Sequence, residues 1–162
     1  MFNKTDIPKD KQEMYDLMIY QLKFLLDDVN DNIANLSNTS AIIDFYLNDI
    51  NWAGFYIYKN NELVLGPFQG LPACVKIQVG IGVCGTAAST MTTQVVKDVD
   101  AFPGHIACDS ASKSEIVIPL SVNNQLFGVL DIDSPNLDRF DDIDRVNLET
   151  LVNLLVTYIT ID

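Results

Sequence analysis

The chain has 162 residues, 48% of them apolar and 20% charged, with a formal net charge of −12. That length suits one domain with its own hydrophobic core. Twenty-two acidic residues against ten basic ones leave no cationic cluster to neutralise phosphates, which argues against nucleic acid or an anionic membrane surface as a partner.

The N-terminal stretch MFNKTDIPKD is polar and lacks the apolar core of a signal peptide. No apolar run approaches the length of a bilayer-spanning helix. A cytoplasmic address is therefore expected. That compartment keeps thiols reduced, so Cys74, Cys84 and Cys108 are not expected to form structural disulfides. They include no CxxC pair and accompany a single histidine, His105, which argues against a structural zinc site.

In chain order, Met14, Leu17, Met18, Leu22, Leu25, Leu26 and Val29 recur at helical spacing and predict a helix within residues 10–32. A second helix is expected over Thr39–Leu47, with Asn38 or Thr39 as its cap. From Asn51 the period changes to two. A strand through Trp52–Ile57 turns at Lys59-Asn60-Asn61-Glu62 into Leu63-Val64-Leu65, and Gly66-Pro67 is expected to break that second strand. An irregular loop with Gly70 and Pro72 precedes Cys74, and a short strand spans Val75–Val79. The run Gly80-Ile-Gly-Val-Cys-Gly opens a helix through Thr86–Met91. Its glycines do not complete a dinucleotide fingerprint, and no βαβ unit surrounds them. Val95, Val96 and Val99 predict another strand, followed by a loop over Ala101–Lys113. Glu115–Val122 and Leu126–Asp133 form a hairpin about Asn123-Asn124, and a last helix spans Asp141–Ile159. Adjacent hairpins imply a largely antiparallel sheet, with the N- and C-terminal helices on one face. This is an α+β domain over 1–162: a helical part at 1–50, sheet and loops at 51–140, and a helix at 141–162.

The chemistry concentrates between Phe102 and Asp133, where one thiol and three carboxylates share a scaffold. Cys108 sits in the polar loop GHIACDSAS, which argues against deep apolar burial. Cys74 lies in a Gly/Pro loop. Cys84 lies near a helix N-terminus, where the dipole favours a thiolate, so on residues alone it is the better-activated thiol. Asp131 and Asp133 share a strand face with Val129 and Phe127, as pocket groups would, although Glu115, Asp131 and Asp133 also fit a solvated acidic edge. Trp52 and Tyr56 share a face of their own strand, and core packing explains them as well as function does. His105 has no partner in sequence and reads as part of the loop structure.

The element order, with glycines before a short helix and a PL…LFGVLD hairpin, resembles the GAF domain. Within that fold, NWAGFYIY, GPFQGLPACVKIQVGIGVCGTAA, VVKDVDAFPGHIACDSASKSEIVIPL and FGVLDIDSP resemble the free methionine-(R)-sulfoxide reductases. The resemblance covers Asn51 to Asp142 and all three cysteines. It implies reduction of free L-methionine (R)-S-oxide, with Cys108 attacking sulfur, Cys74 as the preferred resolving thiol and Cys84 secondary. It also implies that Glu115, Asp131 and Asp133 share proton donation and ammonium binding, and that Trp52 lies against the methyl-sulfur end with Tyr56 beside it. Thioredoxin is the implied reductant. No metal or organic cofactor is required, and a homodimer is compatible with the family. A catalytically silent GAF module that binds a metabolite or senses oxidant is the alternative; such modules usually feed an output domain. A thiol peroxidase is a third reading, separated by testing peroxide against methionine sulfoxide.

Overall fold

The computed structural model of the chain describes residues 6–105 and 110–161. Among these residues six strands form one antiparallel sheet, ordered β3-β2-β1-β6-β5-β4. They are β1 Trp52–Lys59, β2 Glu62–Gly70, β3 Lys76–Gln78, β4 Gln94–Val96, β5 Ser114–Val122 and β6 Gln125–Ser134. Helices α1 (Lys11–Leu26), α2 (Asn32–Tyr46) and α4 (Asp142–Val156) cover one face, and α3 (Gly82–Thr90) covers part of the other. This is the α+β layering that the hairpin order implied.

Alternation along the strands divides the interior in two. Ala53, Phe55, Ile116, Ile118, Leu130 and Ile132 face the three long helices, packing against residues such as Leu22, Ile43 and Leu151. Trp52, Tyr56, Val117 and Val129 point the other way, toward Val83, Cys84 and Ala87 of α3. Both hairpins turn on Asn-Asn pairs, Asn60-Asn61 and Asn123-Asn124, with all four residues at positive φ. Such turns match the right-handed twist of the flanking strands.

Three local expectations are corrected. Helix α2 starts at Asn32, capped by Asp31, whose side chain accepts from the Ala34 N–H at 2.8 Å, and not at Asn38 or Thr39. Thr39 lies inside the helix and donates to the Asn35 carbonyl at 2.7 Å. Buried small polar residues on this face hide its helical period from a hydropathy reading. Gly66-Pro67 does not break β2. The register with β1 shifts there, from Gly54↔Phe68 to Tyr56↔Leu65, and such a bulge accommodates a proline that cannot donate to the ladder. Val99 belongs to a 3-10 turn, Val99–Ala101, rather than to a strand.

Helix α4 opens on a capping box between Asp141 and Asp144. The fully buried Asp144 carboxylate also accepts from Tyr15 Oη at 2.7 Å and pairs with Lys11 and Arg139. It thereby ties α1 to α4. Asp144→Ala is expected to cost about 3 kcal/mol in chemical denaturation, because it removes an ion pair from each of Lys11 and Arg139 and leaves the buried Tyr15 hydroxyl without its acceptor.

Candidate active site

The site lies on the α3 side of the sheet. Strand register assembles it. Glu115 on β5 pairs with Asp133 on β6, and Asp133 pairs on its other side with Trp52 of β1. Asp131 pairs with Gly54, so the position between Trp52 and Tyr56 carries no side chain. A Cβ at Gly54 would run into Phe68 and come within 2.8 Å of the Trp52 indole. Gly54→Ala is therefore expected to destabilise the fold by about 1–3 kcal/mol through overpacking, read as a lower melting temperature together with a displaced indole fluorescence.

The apolar wall is a stack of rings. Trp52 lies between Phe68 and Tyr56, with centroid distances of 5.2 Å and 5.9 Å and nearly parallel planes. Trp52 Nε1 donates to the Leu71 carbonyl at 3.1 Å, and Tyr56 Oη donates to the Cys74 carbonyl at 3.0 Å. Those two bonds fasten the 71–74 loop over the sheet. Gly70, at φ 125°, lets the chain turn closely across the indole. A small cavity of about 20 Å³ remains beneath the loop, lined by Trp52, Tyr56, Leu71, Pro72, Ala73, Asp131 and Asp133. Phe68 and the 71–73 segment were not singled out from sequence, although the segment's position just before Cys74 was a usable signal.

Glu115 and Asp131 are both buried, diagonal neighbours on adjacent strands. No Lys or Arg pairs with either among the described residues. Loss of hydration and then repulsion from Asp131 and Asp133 push the Glu115 carboxyl well above its ordinary range. Burial also raises Asp131, while hydrogen bonds from Cys84 and Glu115 hold it partly back. The two buried carboxyls, side by side with no cation between them, thus share a raised affinity for a proton. One oxygen of Asp131, Oδ1, is buried with no hydrogen-bond partner among the described residues. Asp133 is half-buried at the strand end. The solvated-edge reading fails for Glu115 and Asp131.

The cysteines separate by environment. Cys84 is a free, buried thiol within α3, its Sγ 3.9 Å from Glu115 Oε1. Burial and the charges of Asp131 and Glu115 push its pKa well above the ordinary thiol value. This corrects the expectation from the helix dipole: two acids delivered by β5 and β6, together with burial, outweigh the partial charge of a helix end. Cys74 is disulfide-bonded and half-buried. Cys108 lies outside the described residues. Phe127 is likewise corrected: a register shift at Leu120/Ser121 turns it toward the long helices, so it does not share the face of Asp131. The His105 backbone N–H donates to the Phe102 carbonyl at 3.1 Å, in keeping with a place in loop structure.

No helix among the described residues is long and apolar enough to cross a membrane. The GAF domain family model matches residues 39–160. The chain is 52% identical over 143 residues to the free methionine-R-sulfoxide reductase of Escherichia coli, covering 88% of this chain and 87% of that protein. It is 47% identical over 154 residues to the enzyme of the same name from Saccharomyces cerevisiae, covering 90% and 86%. The structure of free methionine-R-sulfoxide reductase from Neisseria meningitidis in complex with its substrate superposes with a TM-score of 0.94 at 42% identity, covering 98% of this chain and 95% of that one. With the family model matching residues 39–160 and two reductases at about 50% identity along most of their length, the chain belongs to the GAF-domain family of free methionine-R-sulfoxide reductases.

Proposed function

We propose that this chain reduces free L-methionine (R)-S-oxide to L-methionine through a cysteine sulfenic acid and an intramolecular disulfide. The observation that carries the reading is a pair of buried carboxyls, Glu115 and Asp131, with Asp131 Oδ1 lacking a hydrogen-bond partner among the described residues, at a pocket walled by Trp52; burial and its acidic neighbours favour the protonated form of Glu115. Sulfoxide reduction needs these parts together with a nucleophile. The indole suits the soft methyl-sulfur end, Asp131 and Asp133 receive the ammonium, and Glu115 protonates the departing oxygen.

Cys108 is the proposed nucleophile. Its thiolate attacks the sulfoxide sulfur as Glu115 protonates the oxygen; the hydroxyl then passes from the substrate sulfur to the Cys108 sulfur while the transient S–S bond breaks, so methionine leaves and a sulfenic acid remains on Cys108. The Cys74 thiol displaces that hydroxyl as water and closes a disulfide. A dithiol protein of the thioredoxin type in the cytoplasm returns two electrons and two protons. The sum is sulfoxide plus dithiol giving thioether, water and disulfide. Cys74's disulfide-bonded state, with Cys84 free and its thiolate disfavoured, supports Cys74 over Cys84 as the resolving thiol.

The test is NADPH oxidation coupled through thioredoxin and its reductase, with each sulfoxide epimer in turn. Turnover is expected with the free R epimer alone. An N-acetylated, C-amidated sulfoxide of the same hand lacks the ammonium and is expected to lose at least about tenfold in kcat/KM, since a charge-assisted hydrogen bond is worth about 1.5–3 kcal/mol. Equal values for free and blocked substrates would sink the assignment of the acids to the ammonium.

A further inference from the structure

The Cys84 sulfur and one carboxylate oxygen from each of Glu115 and Asp131 lie within 4.8 Å of one another, all three residues buried. They come from three separate elements, α3, β5 and β6, so no spacing in the sequence announces them as a set. Asp131 is 6% exposed, and its Oδ1 has no hydrogen-bond partner among the described residues. No lysine or arginine among the described residues pairs with either acid. We infer that this trio binds one thiophilic divalent cation of the zinc or cobalt type, and that the ion shuts the site.

The donor set chooses the ion. Mg²⁺ and Ca²⁺ prefer all-oxygen cages, whereas one thiolate with two carboxylates suits Zn²⁺ or Co²⁺. Ligand atoms around tetrahedral zinc lie about 3.5 Å apart. Cys84 Sγ and Glu115 Oε1 are already at 3.9 Å, and all three ligand atoms lie within 4.8 Å, so the trio is about 1 Å from that geometry. Asp131 also lines the small cavity walled by Trp52 and Tyr56, which links the trio to the pocket. A bound ion would displace the Glu115 and Cys84 protons to solvent, supply the positive charge that the three side chains lack together, and occupy both carboxylates. The inhibitory consequence rests on the proposed reductase reading, because those carboxylates are then unavailable as proton donor and ammonium acceptor. Binding itself does not rest on it.

The experiment is a titration of the oxidised, full-length chain with Co²⁺, in the state where Cys74 is disulfide-bonded and Cys84 is the free thiol. A thiolate-to-cobalt absorption band is expected to saturate at about one ion per chain, unaffected by excess Mg²⁺. Cys84→Ser should abolish the band, and Glu115→Gln and Asp131→Asn should each weaken binding by more than about tenfold. Three variants keep the outcome from hanging on the folding of one. Absence of the band, its survival in Cys84→Ser, or full affinity in both carboxyl variants would overturn the site, whatever the reductase assay gives. Reduced enzyme preloaded with Zn²⁺ should then make less methionine in a single turnover at low sulfoxide, with excess sulfoxide restoring the yield. Failure of excess sulfoxide to restore it would place the inhibiting ion elsewhere.

Discussion

Cys108→Ser is expected to yield no methionine, even in a single turnover, whereas Cys74→Ser yields about one methionine per chain and then stalls. The first outcome follows from nucleophilicity. A serine hydroxyl is a far poorer attacker of sulfoxide sulfur than a thiolate; of the two thiols that remain, Cys84 is buried beside Glu115 and Asp131, which oppose its ionisation, and Cys74 is assigned only the later resolving step. The second follows from the order of steps. Attack and oxygen loss need only the nucleophile and the acid, and the resolving thiol is needed only afterwards. Rapid-quench assay of methionine separates the two variants. Methionine from Cys108→Ser would move the nucleophile to Cys84.

Glu115→Gln is expected to lower kcat/KM by about 10²–10⁴-fold, the range for losing a positioned general acid, while stabilising the substrate-free fold at neutral and alkaline pH. The amide keeps the shape but has no proton to give. The stability effect has a fixed sign. Glu115 and Asp131 both have folded-state pKa values raised above the unfolded ones. The native state therefore binds protons more tightly, and this contribution is fully present below the unfolded pKa of about 4. It is lost as pH rises through the folded-state values. Wild type should thus lose stability above pH 4 on this account, and Glu115→Gln should lose less. Melting curves at pH 4 and pH 8 check it: the variant's advantage appears at pH 8 and shrinks at pH 4, at about 2–4 °C per kcal/mol. An activity within twofold of wild type would remove Glu115 from proton transfer. Loss of activity with lower stability at pH 8 would make it a structural residue instead.

Much of this was legible in the sequence because it depends on local period and turn chemistry. The Asn-Asn pairs at 60–61 and 123–124 fix tight turns by their tolerance of positive φ. Met14, Met18, Leu22 and Leu26 show the buried face of α1 directly, and alternation along β6 puts Asp131 on one face with Val129. What could not be read depends on contacts made at long range. The start of α2 was hidden because Asn35, Thr39 and Ser40 are buried on its inner face. Gly66-Pro67 looked like a break because a bulge is visible only against the partner strand. The same is true of Phe127, which a register shift turns to the other face. Cys84 is the sharpest case. Its place near a helix start is a property of the sequence, but its thiolate is governed by acids from two strands that begin about 30 residues and more downstream. The covering loop at 71–73 is held by a tryptophan N–H and a tyrosine hydroxyl, groups whose targets no pattern specifies.

The account stands most directly on where the thiols go when one substrate is consumed. Fully reduced enzyme is mixed with free methionine (R)-sulfoxide in the absence of any external reductant, quenched by alkylation and mapped by peptide mass. About one methionine is expected to form and about two thiols to be lost per chain, with Cys74 joined to Cys108 and Cys84 alkylated. Methionine formed with Cys84 in the disulfide, or thiols lost with no methionine formed, would contradict it.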